Sequence, residues 1–157
     1  MLVGCGGITG GWFQALAGMP DMQCVGLVDL NKAAAERRAA EFNLKQAAIG
    51  VDLAVMLDAT KPDVVFDCTV PEAHVKVCTL ALNHGCHVLG EKPLADSMDN
   101  ARTIVDAAKV NKRIHAVIQN RRFEPNIRAA RALLASGAIG KVHTVYSDFF
   151  IGAHFGG

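Results

Sequence analysis

The residues Gly4-Cys5-Gly6-Gly7-Ile8-Thr9-Gly10 follow a short apolar run and open a helical pattern. A first glycine permits a tight turn, and a second lets the main chain approach a bulky anion. Gly4 and Gly6 hold those positions, while Gly7 and Ile8 lead onto the helix start. There, free amides and the helix dipole favour a diphosphate. Thr9 replaces the third glycine of the G-x-G-x-x-G pattern and is expected to loosen helix–strand packing slightly. Asp29 ends the next apolar run, at the distance where a carboxylate accepts hydrogen bonds from the hydroxyls of an adenosine ribose. A carboxylate also repels a 2′-phosphate, so the pattern predicts NAD. NADP is the alternative, because Lys32 and Arg37 lie near Asp29 in sequence. The competing reading of Asp29 is a helix cap.

Such a turn works only at the end of a strand, and the chain supplies strands at regular intervals. Leu2-Val3, Cys24 to Val28, Val64 to Cys68, His87 to Leu89 and Ile114 to Ile118 read as strands, with a weak one at Ala47–Ile49. The middle runs are apolar throughout, as in parallel strands covered on both faces. Helical spacing fills the gaps. Asn31 is a candidate cap before Ala35, Ala39 and Phe42. Pro71 suits a first helical position, and Gly85 ends the helix it starts. Ser97 caps the stripe of Ala101, Ile104, Val105 and Ala108. Shorter helices fit Gly11–Ala17 and Asp52–Leu57. Alternating strands and helices predict an α/β, doubly wound parallel sheet over residues 1–124. Residues 125–157 read as a helix from Pro125 to Ser136, then an alternating strand at Lys141–Ile151 that has no partner in the sequence. The expectation is a connecting helix and the first strand of a truncated α+β second domain.

Composition excludes several classes. The 157 residues are 51% hydrophobic and 20% charged, with mean hydropathy +0.24 and net charge +1. Disorder, a nucleic-acid partner and an anionic membrane surface do not fit that balance. The basic stretch from Lys109 to Arg131 carries only Phe123 as an aromatic, which argues against nucleic acid again. The five cysteines form no C-x-x-C pair, and no leader pattern opens the chain, so a cytoplasmic location without a metal site is expected. His84, Cys86 and His87 straddle a helix end and a strand, so their side chains diverge.

Three more patches end or follow strands: Thr69-Val70-Pro71-Glu72-Ala73-His74, Gly85-Cys86-His87-Val88-Leu89-Gly90-Glu91-Lys92-Pro93 and Gln119-Asn120-Arg121-Arg122-Phe123-Glu124-Pro125. With the glycine turn, and in that order, they resemble the glucose–fructose oxidoreductase, inositol dehydrogenase and rhizopine-catabolism family (Gfo/Idh/MocA), across essentially residues 1–150. The resemblance implies that Thr69, Pro71 and His74 line the dinucleotide and that Glu91 and Lys92 reach its nicotinamide end. It further implies that Lys92 binds the reacting hydroxyl, that Lys92-Pro93 is cis, and that Asn120 marks the bend into a second domain and touches the cofactor. The competing reading of His74 is a helix-face histidine packed on the sheet; that of Glu91-Lys92 is a surface ion pair. By this resemblance, hydride moves between NAD and a secondary alcohol of a small-molecule sugar, cyclitol or polyol, in a homo-oligomer. The remaining catalytic groups would lie beyond Gly157, His154 would not be one of them, and this stretch alone would bind without turnover. The alternative is a non-catalytic dinucleotide sensor or scaffold, which has no use for Lys92.

Overall fold

The computed structural model describes residues 1–148. It divides into two units, Met1–Ile118 and a second that starts at Gln119. In the first, six strands alternate with helices. They are β1 (Leu2–Val3), β2 (Gly26–Val28), β3 (Ala48–Gly50), β4 (Val64–Asp67), β5 (His87–Gly90) and β6 (His115–Val117). The helices between them are α1 (Thr9–Ala17), α2 (Lys32–Glu41), α3 (Leu53–Thr60), α4 (Pro71–Asn83) and α5 (Met98–Val110). All pairings are parallel, in the order β3-β2-β1-β4-β5-β6. This is the doubly wound Rossmann arrangement. The winding reverses between β1 and β4, and in open sheets the crevice at that switch, beyond the carboxyl ends of the strands, takes ligands.

Strand alternation divides the core into two faces. Leu2 and Leu27 face one way with Cys5, Trp12, Phe13, Ala34 and Ala35, so α1 and α2 cover that side. Val3, Val28, Val65 and Val88 face the other with Met56, Leu57, Leu82 and Ile104 from α3, α4 and α5. Burial on both faces is why the strands read as continuous apolar runs.

The helix signals act where the sequence puts them, with one exchange. Ser97 accepts from the Asn100 amide at 3.2 Å, Asp52 accepts from Val55 at 3.1 Å, and Pro71 opens α4. Gly85, at φ +81°, lets the chain leave α4 and turn into β5. Asn31 occupies the cap position of α2, yet its side chain bonds nothing there. Instead its own amide donates to Asp29 Oδ1 at 2.7 Å, so the carboxylate before it supplies the acceptor.

In the second unit, a 3-10 turn (Asn120–Phe123) leads into α6 (Pro125–Ala135). Lys141 to Asp148, the described part of the expected strand Lys141–Ile151, forms no strand, and Val145 and Tyr146 are exposed. Alternation is a property of the segment itself, whereas a strand needs a neighbour to bond, and none runs beside it among the described residues. The end of that strand and His154 lie outside the described residues.

Candidate functional site

Gly4 turns the chain out of β1 at φ +84°, and its amide donates to Val28 O at 2.8 Å. A Cβ there would sit 2.8 Å from the carbonyl carbon and oxygen of Cys68 and 2.9 Å from the Thr69 amide nitrogen. Glycine is thus required twice, by the dihedral and by the closeness of the β4 exit. Asp29 Oδ2 accepts the Cys5 amide at 2.7 Å, which ties the turn to the end of β2. Asp29 therefore caps the entry to α2 and braces the glycine turn, and each oxygen keeps a second lone pair for a ligand hydroxyl.

Beyond Cys5 the loop is open. Gly6, Gly7 and Ile8 are exposed, and a Cβ on either glycine would meet nothing within 4 Å. Their three amides have no hydrogen-bond partner among the described residues, whereas Gly4, Cys5 and Thr9 are all bonded. Three adjacent unpaired donors at the start of α1, with room above them and a carboxylate alongside, fit a diphosphate carrying a ribose. Thr9 is fully buried, and its hydroxyl donates to Gly6 O at 2.7 Å. The replacement that sequence reading expected to loosen the packing instead adds a bond inside the turn.

Around β4 the decisive group is one that sequence reading passed over. Asp67 is fully buried. Its Oδ1 accepts the Thr69 amide at 3.0 Å and the Thr69 hydroxyl at 2.5 Å, and Oδ2 faces Cys78 Sγ at 3.3 Å. An acidic residue closing the apolar run Val64-Val65-Phe66 was the available signal. Thr69 is thereby fixed at the mouth of the crevice, with Pro71 starting α4 behind it. His74 is 1% exposed, with Nδ1 at 3.0 Å from Pro93 O and Nε2 at 3.1 Å from Thr69 O. Both ring nitrogens meet main-chain carbonyls, which corresponds to the packed alternative for this residue. It thereby ties the Thr69 and Pro93 carbonyls together. Burial also holds the nearby His115 below the usual histidine range.

Glu91 leaves β5 and turns back into the protein. Its Oε1 accepts the Trp12 indole N–H at 2.9 Å, and Oε2 accepts the Lys92 amide at 3.3 Å. Trp12 packs on Phe66 with ring centroids 5.1 Å apart. The carboxylate thus braces the exit of β5 against α1, so the surface Glu-Lys ion pair is not what forms. Lys92 is exposed, its ammonium has no partner among the described residues, and the Lys92-Pro93 peptide is cis, as expected. Gly4, Asp29, Thr69, Glu91 and Lys92 therefore share the carboxyl ends of β1, β2, β4 and β5. Asn120 lies in the second unit, where its Oδ1 accepts the Arg121 amide at 3.0 Å.

Two features carry less chemistry. A cavity of about 510 Å³ opens at the amino ends of the strands, among Met1, Phe13, Leu16, Met22 and Phe42. Its lining, which also includes Asp21, Gln23, Lys61 and Asp63, contains none of Gly4, Asp29, Thr69, Glu91 and Lys92. The five cysteines are free. Burial first, and then the Asp29 carboxylate, push the Cys5 thiol up to about 12; burial likewise raises Cys24, Cys68, Cys78 and Cys86. All five are expected to resist iodoacetamide at neutral pH in the folded protein and to react promptly once unfolded, as mass spectrometry would show. An unfolded thiol ionises near ~8.5. The stability these buried thiols contribute is therefore complete below that pH and is lost as pH rises through their higher folded values. Prompt labelling of Cys5 in the folded state would contradict this.

Comparison with known proteins agrees with the geometry. D-glucoside 3-dehydrogenase of Escherichia coli (strain K12) is 30% identical over 123 residues, covering 78% of this chain and 34% of that enzyme. Levoglucosan dehydrogenase in complex with NADH and levoglucosan superposes with a TM-score of 0.78 at 26% identity, over 89% of this chain and 40% of that one. WlbA dehydrogenase of Chromobacterium violaceum, in complex with NADH and UDP-GlcNAcA, gives 0.80 at 26% identity, over 88% and 40%. The chain thus spans about a third of the length of the first of these relatives. No helix among the described residues is long and apolar enough to cross a membrane. The family model described as "Oxidoreductase family, NAD-binding Rossmann fold" matches residues 1–119, three quarters of the sequence. With the partner-free amides of Gly6, Gly7 and Ile8 beside Asp29, this makes the chain a member of that Gfo/Idh/MocA oxidoreductase family, carrying its NAD-binding domain.

Proposed function

We propose that this chain is the NAD-holding part of a dehydrogenase that acts on a secondary alcohol of a sugar, cyclitol or related polyol, with Lys92 as the residue that handles the hydroxyl. One observation carries the reading. Lys92 presents an ammonium without a partner among the described residues, at the strand ends that also hold the open glycine loop and Asp29. The names of the relatives, a glucoside and a levoglucosan dehydrogenase, support the substrate class.

When bound, the nicotinamide supplies the hydride acceptor. The chain's own groups do the rest. The amides of Gly6, Gly7 and Ile8 hold the diphosphate and Asp29 the ribose. Thr69, fixed by Asp67, borders the crevice. Lys92 donates a hydrogen bond to the alcohol oxygen, so that charge building on that oxygen as the C–H bond breaks meets a cation. Alcohol-to-ketone oxidation would release the hydroxyl proton, and Lys92 would relay it by giving one of its own protons to solvent and taking the hydroxyl proton in its place, so that it ends as the ammonium again. In this reading the whole protein is a cytoplasmic homo-oligomer whose partners are small molecules.

The test incubates the whole protein with NAD and a panel of sugars and cyclitols and follows the near-ultraviolet absorbance of reduced nicotinamide. At least one secondary alcohol is expected to be oxidised. Tight NAD binding with no turnover on any member of the panel would favour a sensor.

A further inference from the structure

Gly6 and Gly7 are adjacent, exposed and without side chains, so nothing intrinsic to them fixes how their peptide planes face. Yet three amides of this loop must point at one anion. Three donors fix the planes, and two of them belong to Thr9, which reaches only Gly6 O, at 2.7 Å from its hydroxyl and 3.4 Å from its amide. The third is Arg38, from the second turn of α2. Its Nη2 donates to Gly6 O at 2.8 Å and lies 3.4 Å from Gly7 O. Its Nη1 is held by Glu41 Oε2 at 2.6 Å, and the Arg38 side chain keeps only 18% of its exposure. Among the described residues, no other side chain meets Gly7 O.

Peptide geometry turns these contacts into a consequence for the opposite edge. In a trans peptide the carbonyl and the N–H point in opposite directions. Gly6 O shares its plane with the Gly7 amide, and Gly7 O shares its plane with the Ile8 amide. A guanidinium that draws both carbonyls to one side therefore sends both N–H groups to the other, where they have no partner among the described residues. Donation from a cation also polarises each peptide and strengthens its N–H as a donor. An Arg38–Glu41 pair serving only the surface of α2 would be worth little and would not need to reach a loop 31 and 32 positions away in sequence.

We propose that Arg38 is a positioning residue for the dinucleotide: its fork grips the carbonyls of Gly6 and Gly7, with Glu41 holding the fork, and so aims the Gly7 and Ile8 amides at the diphosphate. The inference rests on the NAD-binding reading of the turn. It predicts a role that lysine cannot fill, because a single ammonium has no rigid fork to span two carbonyls and a carboxylate. It also predicts equal importance for NADH and NADPH, which share the diphosphate.

The experiment titrates NADH and NADPH into wild type, Arg38→Met, Arg38→Lys and Glu41→Gln. Affinity is read by fluorescence, and the Gly7 and Ile8 amide resonances are read in the ligand-free proteins. Arg38→Met is expected to weaken both nucleotides by the same factor, roughly ten- to a hundredfold, as for loss of a charge-assisted hydrogen bond. Arg38→Lys should leave most of that loss in place, and Glu41→Gln should give a smaller loss. All three should shift the two amide resonances before any nucleotide is added, a response that general destabilisation of α2 would not confine to them. If Arg38→Met does not fold, the other two variants carry the same test. Full recovery in Arg38→Lys would make Arg38 a mere charge. A loss confined to NADPH would make it a 2′-phosphate receptor. Unchanged affinity in Arg38→Met would remove its role altogether. Each of these overturns the proposal. A folded wild type that binds neither nucleotide would overturn the reading beneath it as well.

Discussion

Gly4→Ala is expected to lower the melting temperature by about 10 °C and to weaken NADH binding at least tenfold. A non-glycine residue at φ +84° is strained by roughly 1–2 kcal/mol. The added Cβ would lie 2.8 Å from the Cys68 carbonyl group, main chain that has no rotamer with which to step aside. Forcing β4 and the turn apart adds roughly 1–3 kcal/mol. In a domain of this size such a sum is a shift on the order of 10 °C. The affinity loss follows because relief requires the glycine turn to move off the β4 exit, carrying the loop that presents the amides. Thermal melts by circular dichroism and a nucleotide titration check both halves. A melting point within about 2 °C of wild type would show that the turn has slack the structure does not contain.

The second large effect belongs to Lys92→Met in the whole protein. Turnover is expected to fall by about 10²–10⁴, the usual contribution of a positioned acid or base. NADH affinity should barely change, because the ammonium contributes nothing to the glycine loop or to Asp29. Lys92→Arg should not restore turnover, since a planar fork cannot occupy the place of a compact donor. The thermal midpoint should hold, because the exposed side chain bonds nothing among the described residues. Activity within tenfold of wild type would remove Lys92 from the reaction and leave the oxidoreductase reading without its proton-handling group.

The legibility of this site followed the range of the interactions that build it. Gly4, Asp29 and Lys92 could be placed together because each follows a strand, and a strand end is visible in local pattern. The sheet was legible for the same reason, since burial on both faces makes each parallel strand an apolar run. What escaped was contact across sequence. Glu91 was placed on the cofactor, yet it bonds Trp12, 79 positions away, and that pairing has no local signature. Arg38 was passed over in favour of Lys32 and Arg37, which lie nearer Asp29 in sequence. Lys32 in fact pairs with Glu36 along α2, while the helix turns Arg38 toward the glycine loop. Asp67 was read only as part of a strand, although a carboxylate within an apolar run has to find donors when buried. The strand expected at Lys141–Ile151, absent over its described part Lys141 to Asp148, shows the opposite case. Its alternation was local and clear, but pairing depends on a neighbour.

The claim beneath all of this is that the open amides beside Asp29 hold the diphosphate of NAD. Trp12 reports on that place: it is the single tryptophan, it lies on α1, and its indole is bonded to Glu91. NADH titrated into the folded protein should change Trp12 emission saturably, with the midpoint moved at least tenfold higher in Gly4→Ala. A folded sample whose Trp12 emission shows no saturable response to NADH, and which retains no nucleotide on equilibrium dialysis, would contradict the account.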